Sequence, residues 1–402
     1  MDRIYTPMLL AQSRELRQML FVSGPRQVGK TTLARALIKK TEGYYFNWDQ
    51  LDDRQNILSG SSTIAEKTGL DQLKADKPLI VFDELHKYKQ WKNWLKGFFD
   101  YYENKAHILV TGSARMDIFR KGGDSLMGRY FHYRMHPLSL REVCKPVLDT
   151  TSILQTPSQP EKEQLTQLLD FGGFPEPYSR ASKAFSNRWQ KLRQQQLIYE
   201  DIRDLSHIQE IAQLEVLALL IRKQAGQSCK YSTLAKQINV SIDTIRRWLD
   251  ALESFYYCYR IRPWYHNIST SLRKEPKLYL WDWSQIKDTG AKNENMIASH
   301  LLKAVHCWND LGLGDFELFY LRTKDQKEVD FLVVQDAKPW FLVEVKTSSK
   351  QSISKHLHWF QQKTKAQHAF QVCMDLDYVD ADCFEHTQPI KISAENLLMR
   401  LV

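Results

Sequence analysis

The sequence predicts a mixed α/β protein with an N-terminal parallel-sheet domain, a mostly helical middle and a C-terminal α/β domain. Three observations predict it. Residues 1–145 alternate short apolar runs (LFVSG, LIVFDE, HILVTGS) with helix-like stretches, the pattern of a parallel sheet covered on both faces. Residues 146–165, with Pro146, Pro157 and Pro160 among polar side chains, read as a linker. Residues 166–277 follow a helical pattern, and from 278 onward strand-like runs (YLWDW, VDFLVV, WFLVEVK) alternate with helices. The expected domains are 1–150, 151–277 and 278–402, within the two to four that 402 residues allow at roughly 100–200 per domain.

Composition narrows the function classes. Hydrophobic residues at 43% and charged residues at 26% exclude a disordered chain, and 18 Phe, 18 Tyr and 11 Trp supply more than one core. No apolar run approaches the roughly 18 residues that cross a bilayer, and the N-terminus is charged too early for a signal peptide. A cytoplasmic location with no membrane partner is expected. The six cysteines form no C-x-x-C pair, which excludes a disulfide scaffold or a zinc knuckle. The net charge of +9 is uneven. Residues 1–150 hold 24 basic and 17 acidic side chains, residues 181–277 hold 16 and 9, and residues 278–402 hold 14 and 17. Such a balance permits a polyanionic partner.

Gly24-Pro25-Arg26-Gln27-Val28-Gly29-Lys30-Thr31 fits G-x-x-x-x-G-K-[ST] between the apolar strand Met19–Val22 and the helix pattern TTLARALIKK. In that context the glycines let backbone N–H groups converge on phosphates at a helix N-terminus. The binding set is Gly24 to Thr32. Lys30 reaches the β- and γ-phosphates, and the Thr31 hydroxyl is a ligand for Mg²⁺. The run Leu79–Phe82 ends in Asp83 and Glu84 at the sheet's carboxyl edge, where open α/β sheets bind ligands. Asp83 suits the Mg²⁺-holding role, and Glu84 suits polarisation of the attacking water. His107–Val110 leads into Thr111-Gly112-Ser113, where either Ser113 or Thr111 is placed to sense the γ-phosphate. Arg129 is a candidate arginine finger, with an ordinary salt bridge as the alternative. The expected cofactors are ATP and Mg²⁺.

These motifs (GPRQVGKTT, VFDELHK, TGSA, GRYFHYRMHPLSLRE) resemble the AAA-type P-loop ATPases of bacteria and archaea that carry a C-terminal domain of uncharacterised role. The resemblance continues through Phe171–Glu176, Asn293-Glu294-Asn295 and Lys327–Phe331, and implies ATP binding and hydrolysis. Oligomeric state stays open, with a homo-oligomer possible in such relatives because arginine fingers act in trans.

Tyr231–Ile238 followed by Asn239-Val240-Ser241 and Ile242–Glu253 reads as helix–turn–helix. Ala235, Val240, Ile245 and Leu249 pack the pair, and Ser241 caps the second helix. Thr244, Arg246, Arg247 and Trp248 are expected on or near the exposed side, with YYCYRIRPW as a wing. DNA contact through Arg246 and Arg247 and structural use are both open. Further on, Val329–Gln335 and Trp340–Lys346 read as a hairpin around Asp336-Ala337-Lys338. A turn centred on Ala337 pairs residues whose numbers sum to 674, which sets Asp330 opposite Glu344 and Glu328 opposite Lys346. Carboxylates opposed at about 5 Å demand a cation. Asp330 and Glu344 are therefore expected as Mg²⁺ ligands, with Lys346 activating water. The arrangement resembles the PD-(D/E)xK nuclease core, a restriction-endonuclease-like fold, with Glu294 matching its additional acid and Val329 standing where that core has proline. The alternative is an inactive fold in which Glu328 and Lys346 form a cross-strand ion pair and Asp330 and Glu344 hold a lysine or a water network. The functional expectation is an ATPase coupled to a nucleic-acid-directed nuclease-like module; the alternative is a DNA-binding regulator that uses ATP as a switch, with an inactive C-terminal docking domain.

Overall fold

The computed structural model describes residues 3–41, 43–73, 76–112, 126–144, 147–202, 208, 210–264 and 275–402. The chain divides into two compact units, Met1–His136 with Pro146–Leu148, and Pro137–Lys145 with Asp149–Val402. All six cysteines are free thiols, five of them buried. Among the described residues no helix is long and apolar enough to cross a membrane.

The first unit is built on five strands: β1 (Met19–Ser23), β2 (Tyr44–Asn47), β3 (Leu79–Asp83), β4 (His107–Gly112) and β5 (Tyr130–Arg134). All pair in parallel in the order β2-β3-β4-β1-β5. The three central strands are apolar because both of their faces are covered. On one side the helix Trp91–Tyr102 turns Trp91, Leu95, Phe98, Phe99 and Tyr102 inward at helical spacing. There Phe98 meets Phe82 edge to face at 5.3 Å and stacks on Trp94 at 5.4 Å. On the other side the helix Lys30–Thr41 buries Leu33, Ala34 and Leu37.

In the second unit β6 (Cys258–Pro263), β7 (Lys277–Leu280), β8 (Phe316–Arg322), β9 (Glu328–Gln335), β10 (Lys338–Lys346), β11 (His368–Cys373) and β12 (Ile390–Ser393) form one mixed sheet. Its order is β12-β11-β10-β9-β8-β6-β7. The expected wing segment is β6, which pairs antiparallel with β7 and in parallel with β8, so it is continuous with the sheet of the last third. The helix Thr289–Asp310 is capped by Asp288, which accepts from Ala291 N–H at 2.8 Å. It buries Met296, Ile297, Leu301, Ala304, Val305 and Trp308. The helix Lys355–Thr364 packs Leu357 and Phe360 into a core with Leu332 and Leu342.

The β9–β10 hairpin corrects the expected turn. Its loop has two residues, Asp336 and Ala337, at φ 48° and 62°, as a type I′ turn requires; Lys338 already lies in β10 opposite Gln335. Pairing near the turn therefore sums to 673. A bulge between Pro339 and Phe341 adds one residue, after which Phe341, Leu342 and Val343 face Val333, Leu332 and Phe331 in the 674 register.

The helix–turn–helix comprises Tyr231–Ile238 and Ile242–Ser254. Asn239 takes the left-handed conformation at φ 61°, and Ser241 accepts from Thr244 N–H at 3.0 Å. Leu234, Ala235, Ile238, Ile245, Leu249 and Leu252 are buried, whereas Arg246 and Arg247 are exposed. Trp248, expected near the exposed side, is fully buried. It follows Ile245 at the i, i+3 spacing of the apolar face, and that position outweighs its polar neighbours.

Candidate functional site

The carboxyl ends of β1, β3 and β4 meet at one sheet edge. Ser23 lies beside Gly112, and Thr111 lies beside both Val22 and Asp83. Beyond Ser23 the loop reverses into the helix that begins at Lys30. Gly24 must be glycine, since a Cβ would sit 2.3 Å from the Met135 carbonyl oxygen at φ +158°. Gln27 at φ 63° and Gly29 at φ 103° complete the reversal. Val28 is buried under the loop, while Arg26 and Gln27 are exposed. Buried Arg3 clamps the loop from beneath, donating to the Val28 carbonyl at 2.6 Å and the His136 carbonyl at 2.7 Å. Lys30 Nζ donates to the carbonyls of Gly24 and Pro25 at 2.9 and 2.8 Å, which bends the ammonium over the cradle. No acidic residue occupies the first turn of the helix, as suits an anion site.

Asp83 is buried and saturated by hydroxyls. Thr31 Oγ1 and Tyr45 Oη donate to its Oδ2 at 2.8 and 2.6 Å, and Thr111 Oγ1 donates to Oδ1. The Thr31–Asp83 contact fits the oxygen-donor pair expected to hold Mg²⁺. Thr111 commits its hydroxyl to the carboxylate; the competing candidate Ser113 lies outside the described residues. Tyr45 was missed by sequence reasoning, since only the placement of β2 beside β3 brings it to Asp83. Glu84 takes the left-handed conformation at φ 56°, with its N–H bonded to the Thr111 carbonyl at 3.1 Å. Its carboxylate stands 3.5 Å from Lys87 Nζ and 3.6 Å from His86 Nε2. Burial pushes the Glu84 carboxyl above the usual range, with Lys30 and Lys87 pulling the other way. A partly buried carboxylate of raised basicity is the type of group that accepts a proton from water.

Arg129 is not brought to this edge. Its carbonyl accepts from Met19 N–H at the start of β1, about 13 Å along the strand from Ser23 at ~3.3 Å per residue. Its guanidinium forks onto Asp100, Nε–Oδ1 2.6 Å and Nη2–Oδ2 3.0 Å. The salt bridge, not the cradle of its own chain, occupies this side chain.

In the second unit Glu294, Glu328, Asp330, Glu344 and Lys346 do gather. Asp330 Oδ2 accepts from Val345 N–H at 2.9 Å, and Glu344 Oε1 meets Lys346 Nζ at 2.7 Å. Glu294 accepts from Tyr279 Oη at 2.7 Å. The cation among them is one that sequence reasoning did not single out. Lys277 Nζ lies 2.6 Å from Glu328, 3.1 Å from Glu294 and 3.7 Å from Asp330. Glu328 therefore pairs with Lys277, and with Arg322 at 3.5 Å, where Lys346 had been expected. Burial would push the Lys277 ammonium down, but Glu294, Asp330 and Glu328 outweigh it and hold it above the usual lysine range. Burial and then the Glu294 charge push Asp330 up to about 7, against Lys277 and the Val345 N–H. Among the described residues no three His, Cys, Asp or Glu side chains are arranged to hold a metal ion. Glu294, Glu328 and Asp330 thus converge on the Lys277 ammonium, while Glu344 faces Lys346.

On the helix–turn–helix, Arg246 is 3.2 Å from Asp243, and Arg260 on β6 is 2.6 Å from Asp250 and also pairs with Glu253.

Residues 16–144 match a family model described as an AAA domain, residues 162–286 match a domain of unknown function (DUF8612), and residues 289–391 match another (DUF4143). Among curated proteins the chain is similar to the uncharacterized proteins Mb2031c of Mycobacterium bovis and Rv2008c of Mycobacterium tuberculosis. Each is 24% identical over 346 residues, covering 84% of this chain and 72% of the relative. Among solved structures it is similar to the Walker-type ATPase PABY2304 of Pyrococcus abyssi, at 15% identity and a TM-score of 0.44, covering 70% of this chain and 93% of that one.

Proposed function

We propose that the protein binds MgATP in the cradle of its AAA domain, hydrolyses it, and uses nucleotide state to govern a second unit that acts on DNA. The observation that carries the reading is the convergence of Lys30, Thr31, Asp83 and Glu84 at one sheet edge. Bound Mg²⁺ supplies positive charge to the phosphate oxygens, and Thr31 and Asp83 are the residues that would hold it. Phosphate oxygens replace the Gly24 and Pro25 carbonyls as partners of Lys30. Tyr45 and Thr111 orient the Asp83 carboxylate, each donating a hydroxyl hydrogen to it. Glu84 accepts the proton of the attacking water. Glu84→Gln should keep ATP affinity and lower turnover by about 10²–10⁴-fold. Lys30→Ala should abolish binding; unchanged turnover in the first variant or retained affinity in the second sinks the assignment.

DNA is the favoured partner of the second unit because the capped helix Ile242–Ser254 exposes Arg246 and Arg247 in a region with 16 basic and 9 acidic residues. Replacing both arginines by alanine should weaken DNA binding and reduce the slope of log K against log salt by about 1 to 2. An unchanged slope removes the helix from the interface. A second reading, a regulator whose C-terminal domain docks without cutting, is favoured by the engagement of Asp330, Glu294 and Glu328 with Lys277. Incubation with plasmid and Mg²⁺ or Mn²⁺, beside an Asp330→Ala control, separates the two readings of that domain.

A further inference from the structure

The acid cluster of the second unit draws on three elements. Glu294 comes from the helix Thr289–Asp310, Glu328 and Asp330 from β9, and Glu344 from β10. Carboxylates this close repel one another, and partial burial removes the water that would screen them. Something positive has to stand among them. Two cations were compatible with the sequence, a divalent metal or a side-chain ammonium.

Geometry separates these cations. Lys277 enters from β7 with its side chain 4% exposed, and its Nζ is within 4 Å of Glu328, Glu294 and Asp330. An ammonium has three donors, and here it has three carboxylate neighbours. A magnesium-sized ion needs oxygens at about 2.0–2.1 Å in an octahedron. To ligate Glu294 Oε1 and Asp330 Oδ1 it would have to lie within a few ångströms of the ammonium those oxygens already face, a +2 charge against a buried +1. Second, independently, Glu344 is buried and its Oε2 has no hydrogen-bond partner among the described residues. Lys346 serves only the other oxygen, Oε1. The cluster therefore keeps one buried carboxylate oxygen with unspent capacity for a cation.

We infer that Lys277 is the resident cation of this cluster, so that the native chain binds no divalent metal there, and that a metal site is latent in the same acids and opens when the ammonium is removed. The fold keeps the carboxylates of a metal-dependent hydrolase but fills their centre from its own β7. Metal-dependent phosphodiester cleavage is then absent from this domain, and its acids serve to fasten β7, β9 and the helix Thr289–Asp310 together. The inference depends neither on ATP hydrolysis nor on DNA binding.

The test uses the full chain without nucleotide and Mn²⁺ alone as the probe, followed by electron paramagnetic resonance and calorimetry. The native chain and Asp330→Asn should give the same isotherm, since any weak Mn²⁺ at Asp83 is common to both and is removed by Asp83→Asn. Lys277→Ala should gain one Mn²⁺ per chain, with affinity raised roughly tenfold or more by loss of the opposing charge, and the gain should vanish in Lys277→Ala/Asp330→Asn. Mn²⁺ should also raise the unfolding midpoint of Lys277→Ala but not that of the native chain. Lys277→Arg, which keeps the charge, should behave as native, and it covers the case in which the alanine variant fails to fold. Three results overturn the inference: native Mn²⁺ binding that is lost in Asp330→Asn, Mn²⁺-dependent DNA cleavage that is lost in Asp330→Asn, or a folded Lys277→Ala that takes up no metal. Failure of the ATPase reading would appear in none of these measurements.

Discussion

His300 sits fully buried in the helix Thr289–Asp310 with both ring nitrogens committed. Leu140 N–H donates to Nε2 at 3.0 Å, so Nε2 must be the bare nitrogen, and Nδ1–H then donates to the Met296 carbonyl at 2.7 Å. Protonation would turn Nε2 into a donor facing a donor. Burial pushes His300 down from 6.5 to about 4, the Met296 carbonyl opposing and the Lys303 charge assisting. The sign follows directly. A depressed folded value means that the unfolded chain binds the extra proton first, so the contribution is whole above pH 6.5 and lost as pH falls towards 4. The gap of about 2.5, at 1.36 kcal/mol for each pH unit, is worth about 3 kcal/mol, of which about 2 is gone by pH 5. The assay is urea unfolding at pH 7 and pH 5, with hydrogen exchange of the peptide spanning 293–308 reporting the second unit. The native chain should lose about 2 kcal/mol more over that interval than His300→Gln, which cannot titrate. Parallel pH curves for the two proteins would refute the neutral tautomer and the burial argument with it.

Three further outcomes are expected. Lys303 Nζ is buried with Glu142 as its ion-pair partner and donates to Ser139 Oγ at 2.9 Å and the Pro137 carbonyl at 3.2 Å; Glu142→Ala should cost about 3–5 kcal/mol in urea unfolding, and Glu142→Leu/Lys303→Met should recover most of it. Gly24→Ala drives a Cβ into the Met135 carbonyl; it should strain the loop by ~1–3 kcal/mol and abolish ATP affinity measured by calorimetry. Arg129→Ala should leave turnover of the isolated chain within about twofold, because Asp100 rather than phosphate holds the guanidinium; a hundredfold loss would put Arg129 into the reaction.

The parts of the site that were legible in the sequence are contiguous. Gly24 to Thr31 needs only its own backbone and the helix that follows, and Asp83-Glu84 needs only the end of the strand that carries it. The acids of β9 and β10 were legible for a subtler reason. The two-residue turn and the bulge offset each other, so the 674 register holds from Phe341 to Val343, just before the acids, although the turn differs from the expected one. Trp248 failed because helical periodicity, not the polarity of its neighbours, decides which face is buried.

By itself the sequence determined that a glycine-rich loop joins a strand to a helix, that a strand delivers two carboxylates, and that acids gather in the last third. Each of these is carried by residues a few positions apart, where bond geometry and periodicity suffice. Only the tertiary structure decided what those groups touch. Inserting β4 between β1 and β3 sends the Thr111 hydroxyl to Asp83, and placing β2 at the edge adds Tyr45. Starting β5 beside Met19 keeps Arg129 at the other end of its sheet. Bringing β7 beside β6 at the far edge of the second sheet carries Lys277 into the acids. Strand order is settled by packing between segments far apart in the chain, so neither the partner of a buried charge nor the identity of its counter-ion can be read from local pattern.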